Sequence, residues 1–313
     1  MRNCYGMTLV ELIVVLMIMS IAIIALHNTF VSQQQSYTRN VAITGIQETG
    51  QTIINMIKKD IIMAGYGVDK KLALYIEDGG ATGPDNLYIN DWGFIDEDEL
   101  LKGIYGQADI TNGNGTSTLT LNTLNIDSMG NDNCYSSNCN EFQGGVWQCI
   151  IVNGTDPDKK VARVLSTGAN SLNLDSPVNA NLSAPEVAPA IYYCVDDGSN
   201  SKCLVTGKNV LRRSDRSSGG RQPMANNVVD MQIAYRDKNG TWYCDGSGPC
   251  PMDPFDPKDI SLIRVNIVMR TAVKTTKGAG TGRPAVENRT AGPPDSFSYR
   301  VYTIQIVPRN LIY

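Results

Sequence analysis

With 313 residues, 42% of them hydrophobic and 19% charged, the chain is long enough to bury a sizeable core and too apolar to be disordered. A formal net charge of −4 argues against a generally polyanion-attracting surface, so nucleic acid is not the default partner. The single histidine, His27, closes an N-terminal apolar run, which excludes imidazole-dependent nucleophiles and His-ligated zinc further along; no spacing singles out a catalytic residue or calls for a cofactor, and no enzyme activity is expected.

Residues 1–6 read MRNCYG, short and polar, with Arg2 as the only side-chain charge. Met7 to Leu26 follows as twenty residues in which Glu11 alone is charged, about the length of helix that crosses a bilayer core. An ordinary signal peptide has a shorter apolar region followed by small residues at a cleavage site, and a lipoprotein cysteine would follow the run, whereas Cys4 precedes it. Arg2 before the run and no charge after it until Arg39 predict a cytoplasmic N-terminus and an exported remainder.

A carboxylate in hydrocarbon costs several kcal/mol unless it meets a partner, so Glu11 needs a cation. Cutting after Gly6 would create one, the α-amine of Met7. Met7 and Glu11 are four residues apart and share a helix face, so the amine of one subunit can meet Glu11 of its neighbour. The bland alternative is a fixed membrane anchor with an incidental glutamate.

The segment GMTLVEL, Gly6 to Leu12, resembles the processing site of type IV prepilins and type II secretion pseudopilins. The resemblance implies that residues 1–6 are a leader removed by a membrane prepilin peptidase between Gly6 and Met7, that Met7 is N-methylated, and that Glu11 is the assembly contact. Met7 departs from the commoner Phe. Three further segments resemble the PilW-like class of minor pilins: MIKKDIIMAGYG (Met56 to Gly67), VVDMQIAY (Val228 to Tyr235) and YTIQIVPRN (Tyr302 to Asn310). The J class of pseudopilins resembles the same group. Implied partners are other pilins or pseudopilins along the helix, the peptidase and an inner-membrane assembly platform. The implied place is the inner membrane before assembly and the cell surface afterwards, with a tip complex and adhesion as candidate roles.

Beyond Leu26 apolar residues recur at helical spacing through Val41, Ile46, Ile53, Ile57 and Ile61, predicting one helix over 7–63, its span at 7–26, with Gly45 and Gly50 as weak points. Gly65 and Gly67 supply the stop. Residues 64–313 then form the exported head. Strands are predicted at Thr118–Ile126, Val146–Val152, Val161–Leu165, Ile191–Val195, Val228–Arg236, Ser261–Met269 and Ser298–Val307, with an Asn-Gly hairpin turn at 237–240. Residues 106–140 read as a polar region and 271–295 as a long exposed loop. The expected class is α+β, type IV pilin-like: a long N-terminal helix on a large antiparallel β-rich head.

Seven cysteines lie in the head, and three close pairs, Cys134/Cys139, Cys194/Cys203 and Cys244/Cys250, read as disulfide-closed loops in an oxidising compartment; zinc or reduced core thiols are the alternatives. Cys149 is left over as a buried thiol or an intermolecular bridge. Arg212, Arg213, Arg216 and Arg221 read as a solvated basic loop rather than a nucleic-acid or partner site. Asp245, Asp253, Asp256 and Asp259 lack the spacing of a calcium loop. Trp147, Trp242 and Tyr243 read as core or hairpin packing rather than a sugar platform.

Overall fold

A computed structural model describes residues 9–66, 70–90, 108–112, 116–121, 148–152, 159–167, 171–175, 177, 186–196, 203, 209–214, 221–246, 250, 257–274 and 281–312. Helix α1 runs unbroken over Leu9–Met63, 55 residues or about 82 Å. It ends where Gly65 adopts φ 79°, a left-handed conformation that costs glycine little, and Gly65 N donates to Asn90 O at 2.9 Å. Gly67 lies outside the described residues.

The two expected weak points in α1 do not break it. Gly45 has nothing near the place of its missing Cβ, while at Gly50 an added Cβ would stand 2.5 Å from the Tyr302 ring. Gly50 is therefore a notch that admits an aromatic ring, and Tyr302 Oη also donates to Ile46 O at 3.0 Å. Closeness of packing, invisible in local propensity, decides what that glycine does.

The head is antiparallel throughout the described residues. One sheet has the order β12-β11-β13-β14, built from β11 (Val228–Asp237), β12 (Trp242–Tyr243), β13 (Ile260–Arg270) and β14 (Tyr299–Ile306). The β11–β12 hairpin turns through Asn239 and Gly240 as the sequence predicts, and Gly240 has φ 92°.

In the second sheet, β1 (Leu74–Glu77), β2 (Asn86–Ile89), β8 (Glu186–Asp196), β9 (Val210–Ser214) and β10 (Arg221–Asn226) pair in that order. The N-terminal part of β8 also closes a ring with β3 (Ala108–Asn112), β4 (Thr118–Leu121), β7 (Ser171–Leu174), β6 (Lys159–Thr167) and β5 (Gln148–Val152). One long strand thus belongs to two structures, and β3 to β7 with the start of β8 make a small barrel.

The seven predicted strands correspond to β4, β5, β6, β8, β11, β13 and β14, most of them differing in their ends. The strands not foreseen are short or interrupted by polar residues. In Asn86–Ile89 and Arg221–Asn226 there is no long apolar or alternating run to read.

The core lies where the C-terminal third of α1 wedges between the sheets. Ile46, Ile53, Ile54, Ile57 and Ile61 pack with Leu87, Ile89, Ile191 and Val195 of one sheet and Met231, Ile233, Ile263, Val265, Ile267 and Ile306 of the other. Burial of each such side chain stabilises by about 1.5 to 3 kcal/mol. A short C-terminal helix α2, Arg309–Ile312, caps the junction: Asn310 Nδ2 donates to Ile62 O at 3.1 Å, and Leu311 is buried against Gly65.

The far face of the β11–β13 pair corrects a sequence expectation. Residues 281–295, the longer described part of the predicted exposed loop, lie across that face as a strap tied down by charge. Arg283 and Arg289 both bond the fully buried Asp230, the first at 2.8 Å. Arg264 on β13 makes a two-pronged pair with Glu287, both contacts 2.7 Å, and Asn266 donates to the same carboxylate. Thr and Gly content suggested solvent; Asp230 of β11 with Arg264 and Asn266 of β13 supplied partners that composition of the loop alone cannot reveal.

The turn between β1 and β2 closes the open edge of β11. Asp85 N donates to Met231 O at 2.8 Å and Asp85 Oδ2 accepts from Ile233 N at 2.7 Å, so one residue imitates a strand neighbour. Burial pushes the Asp85 carboxyl well above the usual carboxylate range, against the lowering pull of its backbone donors, and Asp78 and Asp230 nearby add to the rise.

Candidate functional site

The N-terminal half of α1 is the site that sequence and structure both single out. Every large apolar residue from Leu9 to Leu26 is exposed on the chain taken alone, and no residue of the most apolar window is buried within it. A helix apolar on all sides fits a bilayer or a packed bundle of helices. Glu11 stands in the first turn of the described helix, surrounded in sequence by Leu9, Val10, Leu12 and Ile13. Gly6 and Met7 lie outside the described residues.

Between this segment and the head, Phe30, Tyr37 and Val41 are the exposed large apolar residues of a mostly polar stretch. At 3.6 residues per turn these three fall within about 40° of one another and roughly 180° from the mean direction of Ile46, Ile53, Ile57 and Ile61. The stripe therefore faces away from the head. Further along the same side Glu48, Asn55 and Lys59 take over, and it becomes polar.

What fixes the helix to the head is partly apolar and partly a buried polar cluster. Asp60, on the head-facing side of α1, accepts from Tyr193 Oη of β8 and from Arg213 Nε of β9, the latter at 2.9 Å, and Arg213 Nε also lies 3.0 Å from Tyr193 Oη. Burial and the adjacent Asp60 carboxylate push the Tyr193 phenol well above its ordinary range. This corrects the reading of Arg212, Arg213, Arg216 and Arg221 as a solvated loop. Arg212 and Arg213 are on strand β9, where alternation sends them to opposite faces, Arg213 to Asp60 and Arg212 to the buried Asp196 at 3.8 Å. Arg221 opens β10, and Arg216 is outside the described residues. Asp60 itself was legible only as one more helix residue; its i−3 and i−7 neighbours Ile57 and Ile53 are the one signal that it shares the buried stripe.

The other candidates are placed as follows. Cys194 is joined to Cys203 and Cys244 to Cys250, while Cys134 and Cys139 lie outside the described residues. Cys149 is in strand β5. Trp242 packs in the hairpin with the Arg264 guanidinium 4.2 Å from its ring centre, and Tyr243 stacks on Tyr235 at 5.2 Å. Trp147 is outside the described residues, as are Asp253 and Asp256. Asp245 and Asp259 are described, and among the described residues no group of three or more His, Cys, Asp or Glu side chains could hold a metal ion.

Residues 1–26 match the family described as the prokaryotic N-terminal methylation motif. The match is confined to the N-terminus. It spans the Gly6–Met7 junction, Glu11 and the apolar run, and stops before the stripe of Phe30, Tyr37 and Val41. No curated protein matches the chain. Among solved structures it is similar to a type IV-like pilin from Thermus thermophilus, with 13% identity over 53% of this chain and 85% of that one and a TM-score of 0.27.

Proposed function

We propose that the chain is a minor subunit of a type IV pilus, a structural protein and not an enzyme. Prepilin peptidase cuts between Gly6 and Met7 and methylates the new amine, and the protein waits in the inner membrane with α1 as its anchor and the head outside. Assembly exchanges lipid around Leu9–Leu26 for the helices of neighbouring subunits, with Glu11 meeting a neighbour's Met7 amine. The single observation that carries this reading is α1 itself: one unbroken helix, buried in the head over its last turns and apolar on every side over its first. The stripe of Phe30, Tyr37 and Val41 extends the same surface beyond bilayer depth, on the side where a neighbour's helix has access.

A bulky head fits a subunit present in few copies, at a tip that starts assembly and presents an adhesive surface; within the pilins the PilW-like class is the proposed relative. A J-like pseudopilin of a secretion system would use the same helix in the same way. Mass spectrometry of the mature N-terminus tests the processing: a start at N-methylated Met7 is expected, and an intact Met1 overturns it. Glu11→Ala is expected to keep the protein in the membrane fraction and remove it from sheared filaments; unchanged recovery in filaments overturns the assembly role. Deleting the gene separates the machines, since loss of surface filaments marks a pilus and loss of exported enzyme marks a pseudopilus.

A further inference from the structure

The hairpin tip between β11 and β12 carries an exposed sequence pattern that the assembly reading does not use. Five Asn-X-Ser/Thr tripeptides occur in the chain, at Asn114, Asn153, Asn181, Asn239 and Asn288. Such tripeptides are acceptors for N-linked glycans in exported surface loops. Only Asn239 has an acidic residue two positions earlier, in Asp237-Lys238-Asn239-Gly240-Thr241. An acidic side chain at that position is what acceptor sites of the bacterial type add to the simple tripeptide, because the transferring enzyme holds it with a cation.

The two described acceptors differ in how much room the fold leaves a glycan, since Asn239 bonds only Asp237 within its own exposed turn. Asn288 is consumed by the strap: its Nδ2 donates to Asp78 Oδ1 at 2.9 Å, and the Thr290 hydroxyl donates to Ala81 O at 3.2 Å. Residues 238–241, by contrast, are all exposed, and a Cβ built on Gly240 meets nothing within 4 Å. We propose that Asn239 is an N-glycosylation site, taking a glycan from a polyprenyl-diphosphate carrier on the exported side of the membrane. This rests on the export part of the reading above. In the transfer, Asn239 Nδ2 bonds to the anomeric carbon, the bond from that carbon to the carrier's diphosphate breaks, the electron pair leaves with the diphosphate, and one of the two Nδ2 protons passes to a base of the transferring enzyme.

The folded hairpin also sets when this happens. Asp237 Oδ1 accepts from Thr241 N at 2.8 Å, Asp237 Oδ2 accepts from Tyr243 Oη at 3.2 Å, and Asp237 N donates to Thr241 O at 3.0 Å. The carboxylate the enzyme must grip is therefore engaged once the turn closes. Transfer precedes closure, while the chain emerges unfolded, and the closed turn then holds the glycan out in solvent. The modified Nδ2 keeps one N–H for its own contacts.

The test is peptide mass spectrometry of the protein isolated from its own cell envelope, reading the tryptic peptide 239–258 together with the N-terminal peptide. A glycan mass on Asn239 is expected, lost in Asn239→Gln and Thr241→Ala and kept in Thr241→Ser, whose hydroxyl preserves the acceptor. An unmodified 239–258 peptide in protein that starts at methylated Met7 overturns the glycan site and leaves processing standing. An unmodified peptide with Met1 intact overturns both.

Discussion

The two ends of α1 obey different rules although they are one continuous helix. From Leu9 to Leu26 apolar residues occupy every side and the head covers none of them. From Ile46 to Ile61 apolar residues occupy one stripe, and two sheets close over it. An all-round apolar surface states that its partner is outside the folded chain; a striped one states that its partner is within. The difference separates the surface that needs an outside partner from the surface that folds the head, and substitutions at the two ends should have separable effects.

The sharpest contrast is between Ile57 and Ile18. Ile57→Ala removes a fully buried side chain and is expected to cost the head about 2 to 5 kcal/mol, read by thermal or denaturant unfolding of the detergent-solubilised chain. Ile18→Ala, at an exposed position, should leave head stability within about 0.5 kcal/mol. Equal losses at both positions would mean that the head folds only with the apolar end, and the contrast would fail.

Arg213→Ala comes next. It takes the cation from buried Asp60 on the head-facing side of α1, with an expected loss of about 2 to 3 kcal/mol, below the full cost of an orphaned buried charge because Tyr193 still donates and Arg213 is partly exposed. Gly50→Ala tests the notch: a favourable helix substitution by propensity should here destabilise by about 1 to 3 kcal/mol, because the methyl meets Tyr302. Pairing it with Tyr302→Ala should recover part of the loss.

The smallest effect is in alkaline solution. The Tyr193 phenol is held neutral in the fold above its ordinary range, so its stabilisation is complete below about pH 10 and is lost as pH rises, because the unfolded chain ionises first. Each such tyrosine adds a slope of up to about 1.4 kcal/mol per pH unit. Tyr299, pushed up to about 12 by burial and by Asp295, contributes in the same window. Unfolding free energies measured from pH 9 to 12 should show a shallower decline in Tyr193→Phe, and an unchanged slope would detach the phenol from the helix-head contact.

The sequence alone determined the methylation motif, the long helix and its end at Met63, the antiparallel class of the head and the Asn-Gly hairpin. Each of these is written in neighbouring residues: a run, a period, a turn pair. The tertiary structure alone decided that Gly50 is a notch, that Arg213 points to Asp60, that the Gly- and Thr-rich stretch is a strap on Asp230, and that β8 serves both a sheet and a barrel. The first three of those outcomes join residues 53 to 252 positions apart, and no local pattern encodes which distant partner a buried charge or a missing Cβ will meet. The first kind of information marked the apolar end of the helix, and the second how the head is held to its other end.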